Sequence, residues 1–157
     1  MKFAFLAMTM LGIALGLLLP GGKPKAAPVA LAVAAADQPR ETVLERDDNG
    51  HFFTVADVNG EPIKFLVDTG ATTVALTEDD ARRAGVAFDR ASYEDVARGA
   101  GNVLRGQRVQ LKDVVLDGKR VGDVRAAVVE GLDVSLLGQN YLSHVDLSIS
   151  GDKMTLK

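Results

Sequence analysis

Residues 65–76 read Phe-Leu-Val-Asp-Thr-Gly-Ala-Thr-Thr-Val-Ala-Leu, so that one acidic residue interrupts two apolar runs. The run before Asp68 predicts a buried strand that ends at this carboxylate, and Val74 to Leu76 predict a second short buried strand. Burying an ionised carboxylate costs free energy unless partners compensate, and residues placed this way often carry chemistry. We therefore take Asp68 as the candidate catalytic residue. The alternative is an aspartate that merely caps the turn after its strand.

The chain around this motif is predicted to be all-β. Phe52 to Val58 and Ile63 to Val67 are strand-like and flank Asn59-Gly60, a strong hairpin-turn signal. Thr77, followed by three acidic residues, predicts the N-cap of one short helix, which Gly85 ends. Further strands are expected at 109–116, 121–129, 145–149 and 153–156, and residues 136–142 are expected to open a second short helix.

Composition excludes several kinds of site. The 157 residues carry a net charge of −3, which does not suggest a nucleic-acid partner. The sequence has no cysteine, so disulfides, thiolate zinc sites and a cysteine nucleophile are excluded. Its two histidines, His51 and His144, are too few for a histidine-based metal cluster. We expect neither a metal nor a cofactor.

The N-terminal segment predicts a membrane association. Phe3 to Leu19 is a run of 17 residues without a charge, at the lower limit for a membrane-spanning helix. Sites that a signal peptidase could accept, such as 32–34, lie more than a dozen residues beyond this run, and Lys23 and Lys25 intervene. We expect an uncleaved anchor, the alternative being a signal segment removed after export.

The predicted organisation has three parts. Residues 1–22 form the transmembrane anchor or signal segment, and residues 23–44, rich in Ala and Pro, form a linker. Residues 45–157 form one folded domain, since about 110 residues suffice for a single core.

A second motif lies about seventy residues after the first, where residues 136–142 read Leu-Leu-Gly-Gln-Asn-Tyr-Leu. With apolar-apolar-Asp-Thr-Gly-Ala at 66–71 and a glycine-containing hairpin between, the chain resembles the retropepsin-like aspartic proteases of clan AA, in particular their bacterial membrane-anchored type. The resemblance covers about residues 50–157. It implies a small acid-protease domain, a closed β-sheet or barrel with one or two short helices.

The resemblance also implies a function. Members act as homodimers, so each protomer would supply one Asp68 to an active site that cleaves a peptide or protein substrate without a cofactor. Thr69, Gly70 and Ala71 would support the carboxylate, with Thr69 bonding across the two-fold axis. A substrate-covering flap would be formed by Arg98, Gly99, Ala100, Gly101 and Asn102, and the second motif would contribute Leu137, Gly138 and Asn140.

Two positions depart from the viral pattern. Thr72 and Gln139 stand where viral members often carry a paired Asp and Arg, which puts viral substrate-backbone and dimer contacts in doubt but not the catalytic residue. For location, the resemblance implies a single-pass protein of the inner membrane with its domain in the periplasm. A non-catalytic peptide-binding or assembly module on the same fold, tethered to the membrane, is the functional alternative.

Overall fold

The structure is a computed structural model that describes residues 38–98 and 103–157. The predicted anchor at 1–22 and most of the predicted linker therefore lie outside the described residues. Within the described ranges, no helix combines the length and the apolar character needed to cross a bilayer.

The described chain consists of ten strands, two short helices and one 3-10 turn at Arg90–Ser92. The helices are α1 (Glu78–Arg83) and α2 (Gln139–Leu142). The strands, in chain order, are β1 (Thr42–Glu45), β2 (Phe53–Val58), β3 (Glu61–Val67), β4 (Val74–Leu76), β5 (Glu94–Arg98), β6 (Val103–Leu116), β7 (Lys119–Val129), β8 (Ser135–Leu137), β9 (Leu147–Ser150) and β10 (Lys153–Leu156).

Six of these strands close a barrel. The order is β2-β3-β8-β4-β7-β6, and β2 pairs back onto β6 through Asp57↔Val115 and Val58↔Val114, while β5 extends from β6 outside the ring. Apolar side chains from all six strands fill the interior, and the largest of the fully buried ones include Phe65, Ile63, Leu76, Leu111 and Leu137. The predicted all-β fold, a closed barrel with one or two short helices, is confirmed.

Local turn chemistry fixes the barrel's registers. Asn59 and Gly60 both have positive φ (54° and 89°), the geometry that a tight two-residue hairpin requires. The Asn59 side chain also accepts from the Lys112 amide (2.9 Å) and donates to the Ala84 carbonyl (3.2 Å). The predicted turn therefore joins β2 and β3 and braces them against two neighbouring segments.

The helix after the first motif begins as predicted. Thr77 Oγ1 accepts from the Asp80 amide (3.1 Å), and Glu78, Asp79 and Asp80 fill the first turn of α1. Gly85, with φ of 65°, follows the helix. The three acidic residues of the first turn complement the partial positive charge of the helix N-terminus.

The second motif differs from its prediction in one respect. Ser135 to Leu137 form β8, and the helix begins only at Gln139, whereas the sequence pattern predicted that the helix opens with the motif itself. β8 pairs in parallel with β3, placing Leu137 beside Val67. A strand of three residues is too short to show a period, so only pairing with β3 identifies it.

A further strand lies in the segment expected to be linker. β1 starts at Thr42 and pairs antiparallel with β10, which pairs in turn with β9, giving a separate three-stranded sheet. Its N-terminal side is held by the β6–β7 turn: the Arg40 amide donates to the Asp117 carbonyl (2.9 Å), and the buried Lys119 ammonium donates to Thr42 Oγ1 (2.9 Å). We call residues 38–42, together with 117–119, the N-terminal clasp.

Candidate active site

Asp68 lies directly after β3, and the barrel holds its backbone in place. Its amide donates to the Leu137 carbonyl on β8 (3.1 Å), and its own carbonyl accepts from the Ala71 amide (3.2 Å). The side chain is half-buried, and its Oδ1 accepts from the Gly70 amide (2.9 Å). Among residues 38–98 and 103–157 that amide is the one group hydrogen-bonded to this carboxylate, so most of its acceptor capacity is unused by the chain's own contacts.

The two sequence motifs meet in space through their backbones. The amides of Gln139 and Asn140 donate to the carbonyls of Ala71 (2.8 Å) and Thr72 (3.2 Å), which lie just after the Asp68 turn. The Asn140 side chain adds two bonds, accepting from the Val74 amide (2.9 Å) and donating to the Arg125 carbonyl (2.6 Å). Because backbone groups near a protein interior need partners, these bonds fix the loop as a unit.

Gly138 allows this approach. A Cβ built at this residue would lie 2.4 Å from the Thr73 carbonyl oxygen and 2.9 Å from that of Ala71. Both neighbours are main-chain atoms and cannot rotate aside, so the contact excludes every residue with a side chain. Gly70 is less constrained, since its Cβ would lie 3.2 Å from Asp68 Oδ1.

The remaining predicted residues of the two motifs surround this loop. Leu137 is fully buried, while Thr69 and Gln139 are exposed. Gln139 Nε2 donates to the Thr69 carbonyl (2.8 Å), so the glutamine that departs from the viral pattern bonds the loop that carries Asp68 within its own chain. The role of Thr69 across a two-fold axis stays a prediction.

The predicted flap is described only in its arms. β5 and β6 pair antiparallel, with Arg98 opposite Val103, which confirms a hairpin in this region. Gly99, Ala100, Gly101 and Asn102 lie outside the described residues, and the substrate-covering role of this hairpin stays a prediction.

Sequence analysis did not single out Glu78, which joins α1 to the start of this hairpin. Its carboxylate accepts from Arg82 Nη2 (3.1 Å), Arg90 Nε (2.8 Å) and the Tyr93 hydroxyl (2.8 Å), and its side chain is only 11% exposed. Arg90 and Tyr93 lie in an irregular segment without periodicity, so nothing in the pattern pairs them with a helix residue.

These contacts shift the pKa values of Glu78 and Tyr93. The Arg90 guanidinium first, and then the Tyr93 hydroxyl, lower the pKa of Glu78 from 4.5 to about 2 by hydrogen bonding to its charged form. Burial, followed by the Glu78 carboxylate, raises the pKa of Tyr93 to about 12. Glu78 is therefore ionised at any pH near neutrality.

A Glu78→Gln chain should be less heat-stable than the parent at neutral pH, since the glutamine lacks the charge that both arginines complement. A lowered carboxyl pKa stabilises the fold above the unfolded value of 4.5, and that contribution is lost as pH falls towards about 2. The difference in melting temperature should therefore narrow across this window. Thermal unfolding from pH 7 to pH 2 measures it, with Asp79→Asn, whose side chain is 91% exposed, as the control from the same helix. A difference in melting temperature that stays constant down to pH 2 would contradict the lowered pKa of Glu78.

No group of three or more His, Asp or Glu side chains in the described parts of the chain is arranged to hold a metal ion. The site thus consists of the Asp68 carboxylate, the Gly70 amide that orients it, and the backbone hydrogen bonds by which the second motif clamps the Asp68 loop.

Comparison with known proteins assigns the family. The model of the family described as "gag-polyprotein putative aspartyl protease" matches residues 54–144, well over half of the chain, including both motifs. The chain belongs to this family of retropepsin-like aspartic proteases.

Individual relatives agree with this assignment. The crystal structure of a retropepsin-like aspartic protease from Rickettsia conorii is 35% identical, superposes with a TM-score of 0.63, and is matched over 74% of this chain and 90% of its own. An uncharacterized protein of Rickettsia prowazekii is 36% identical over 103 residues (65% of this chain, 44% of the relative). An uncharacterized protein encoded beside cobV in a Sinorhizobium species is 32% identical over 131 residues (82% and 56%). The chain thus spans about half the length of these two relatives.

Proposed function

We propose that this protein is an aspartic endopeptidase that hydrolyses peptide bonds as a homodimer, with one Asp68 from each protomer. The observation that carries this proposal is a single Asp68 carboxylate, oriented by the Gly70 amide at 2.9 Å on a loop clamped by the second motif, in a chain that has one such motif. Membership of the retropepsin-like family supports the reaction class. One carboxylate alone supplies either the base or the acid, so a second copy completes the pair.

The chemistry follows from bringing two carboxylates together. Two like charges a few ångströms apart are costly, so the pair holds one proton, and its titration belongs to both groups jointly. The ionised carboxylate takes a proton from a water, whose oxygen bonds to the scissile carbonyl carbon. The protonated carboxyl polarises the carbonyl oxygen. Return of a proton to the amide nitrogen lets the C–N bond break, releasing an acid and an amine.

We further propose that the protease is held at the inner membrane by residues 1–22 with its domain in the periplasm, the alternative being export after signal cleavage. The uncharged run Phe3 to Leu19 supports an association with the membrane. Alkaline extraction of membranes, followed by intact mass measurement, separates an uncleaved anchor from a removed signal.

The proposal is tested by digesting a peptide library with the full chain from acid to neutral pH, while protein concentration is varied. Activity per chain should fall on dilution, in step with the dimer fraction measured by sedimentation, because a monomer holds half a site. Full activity from a monomeric chain would exclude the shared site. No cleavage by a dimer at any pH would favour the peptide-binding or assembly module.

A further inference from the structure

An arginine on β7 lies at the same end of the barrel strands as Asp68. β3, β8, β4 and β7 are neighbours in this order. Their registers align Asp68, which follows β3, with Gly138, which follows β8. They align Gly138 in turn with Thr73, just before β4, and Thr73 with Arg125 on β7. Three steps between neighbouring strands, of about 4.8 Å each, separate Asp68 and Arg125 by roughly 14 Å.

The two charged side chains also belong to the same face of the sheet. Successive side chains of a strand point to opposite faces. Val67 is buried in the barrel, and so are Val124 and Ala126 on β7. Asp68 and Arg125 alternate with these core residues; Asp68 is half-buried and Arg125 is exposed. Both side chains are therefore accessible from the outer side of the barrel wall.

The charge of Arg125 is not offset by the chain's own contacts. Residues 69–76 and 134–143, which separate it from Asp68, contain no acidic or basic side chain. The residue opposite it on β6 is the neutral Gln110. Asp123 lies two residues earlier on β7, but in the described parts of the chain no carboxylate forms an ion pair with the Arg125 guanidinium. The guanidinium is thus available to a ligand.

The second motif fixes Arg125 relative to the loop that carries Asp68. Asn140 Nδ2 donates to the Arg125 carbonyl (2.6 Å), and Asn140 Oδ1 accepts from the Val74 amide (2.9 Å). The Asn140 amide donates to the Thr72 carbonyl (3.2 Å). One residue therefore holds the backbone of Arg125 and the loop after Asp68 together. The guanidinium takes no part in these bonds, so replacing it leaves them in place.

We propose that Arg125 is a specificity-determining residue, which selects peptide substrates with an acidic side chain about four residues from the bond that is cleaved. An extended peptide advances about 3.3 Å per residue, so a peptide laid along these strand ends covers roughly 14 Å in about four residues. This inference rests on the proposed function, because it names the substrates of that site. In a symmetric dimer Arg125 is present on both sides of the cleaved bond, so an acid on either side is favoured.

The expected preference is modest because the ion pair forms at an exposed position. Water and salt screen such a pair, which limits its contribution to about fivefold in kcat/KM at low ionic strength. Charge complementarity of this kind acts on the choice between substrates more than on the chemical step. The effect should therefore appear mainly in KM.

Matched peptides test the inference with the full chain. A peptide that the parent cleaves is prepared with Asp, Asn or Lys at the fourth residue from the cleaved bond, and kcat/KM is measured for each form. At low salt and above about pH 5, the Asp peptide should be cleaved about fivefold more efficiently than the Asn peptide. Added salt should reduce this ratio, and so should a pH below about 4, where the peptide carboxyl takes up a proton.

Variants of the chain assign the preference to one side chain. Arg125→Gln should bring the ratio between the Asp and Asn peptides to about one, and Arg125→Glu should favour the Lys peptide instead. Lys64→Gln is the control for net charge, since it removes an exposed cation from the middle of β3. It should keep the preference of the parent.

The outcomes separate this inference from the proposed function. Equal cleavage of the Asp and Asn peptides by the parent, or a preference that Arg125→Gln retains, would overturn the role of Arg125 and leave the proposed function intact. Loss of the preference in Lys64→Gln as well would show an effect of net charge alone and would also overturn that role. A chain that cleaves no peptide at any pH would overturn both proposals.

Discussion

Peptide cleavage by an Asp68→Asn chain should fall by about 10³-fold or more. The amide side chain can neither take a proton from water nor share one with residue 68 of the second protomer. The fold should tolerate the change. Asn keeps a side-chain oxygen that can accept from the Gly70 amide, which now bonds Asp68 Oδ1 at 2.9 Å. The free energy of unfolding should therefore change by less than about 1 kcal/mol. Initial rates and urea unfolding measure the two quantities separately.

Asp48→Asn serves as the matched control, since it makes the same chemical change at an exposed turn residue. It should leave both rate and stability unaltered. If Asp68→Asn kept more than a tenth of the parent activity, the carboxylate would not be the catalyst. The shape of the loop would then serve binding alone.

Gly138→Ala should damage the fold severely at the loop that carries Asp68. The new methyl would have to displace the Thr73 and Ala71 carbonyl groups, 2.4 and 2.9 Å away, on the loop that carries Asp68. Overpacking commonly costs about 1–3 kcal/mol, and main-chain neighbours place this case at the upper end of about 3 kcal/mol or beyond. Activity should fall further than the folded fraction does, since moving the loop by even a fraction of an ångström disturbs the catalytic geometry.

Gly122→Ala on β7 provides the comparison, because its Cβ would meet nothing closer than 3.8 Å. It should change the free energy of unfolding by less than about 0.5 kcal/mol. Denaturant unfolding midpoints of Gly138→Ala, Gly122→Ala and the parent chain measure the two changes in stability. Equal stability of the two variants would show that the clamp relaxes without cost.

Local signals predicted much of this structure. The Asn59-Gly60 turn, the Thr77 cap, and the strands ending at Val67 and Leu76 each follow from residues within a few positions of one another. The two motifs identified the loop and the segment that clamps it, although the hydrogen bonds from Gln139 and Asn140 were visible only in the structure.

What the sequence pattern missed depends on distant partners. β8 is a strand because β3 lies beside it, and β1 is a strand because β10, more than a hundred residues later, supplies its pairing. Glu78 gains its importance from Arg90 and Tyr93, which an irregular segment brings back to α1. Periodicity and local propensity carry no information on such contacts.

The backbone bonds between residues 71–72 and 139–140 also limit when, during synthesis, the turn around Asp68 can reach its final shape. The turn around Asp68 leaves the ribosome about seventy residues before the segment that secures it. Until Asn140 has emerged and docked, that turn lacks the hydrogen bonds from the second motif. Order in the turn around Asp68 is therefore coupled to the synthesis of the second motif.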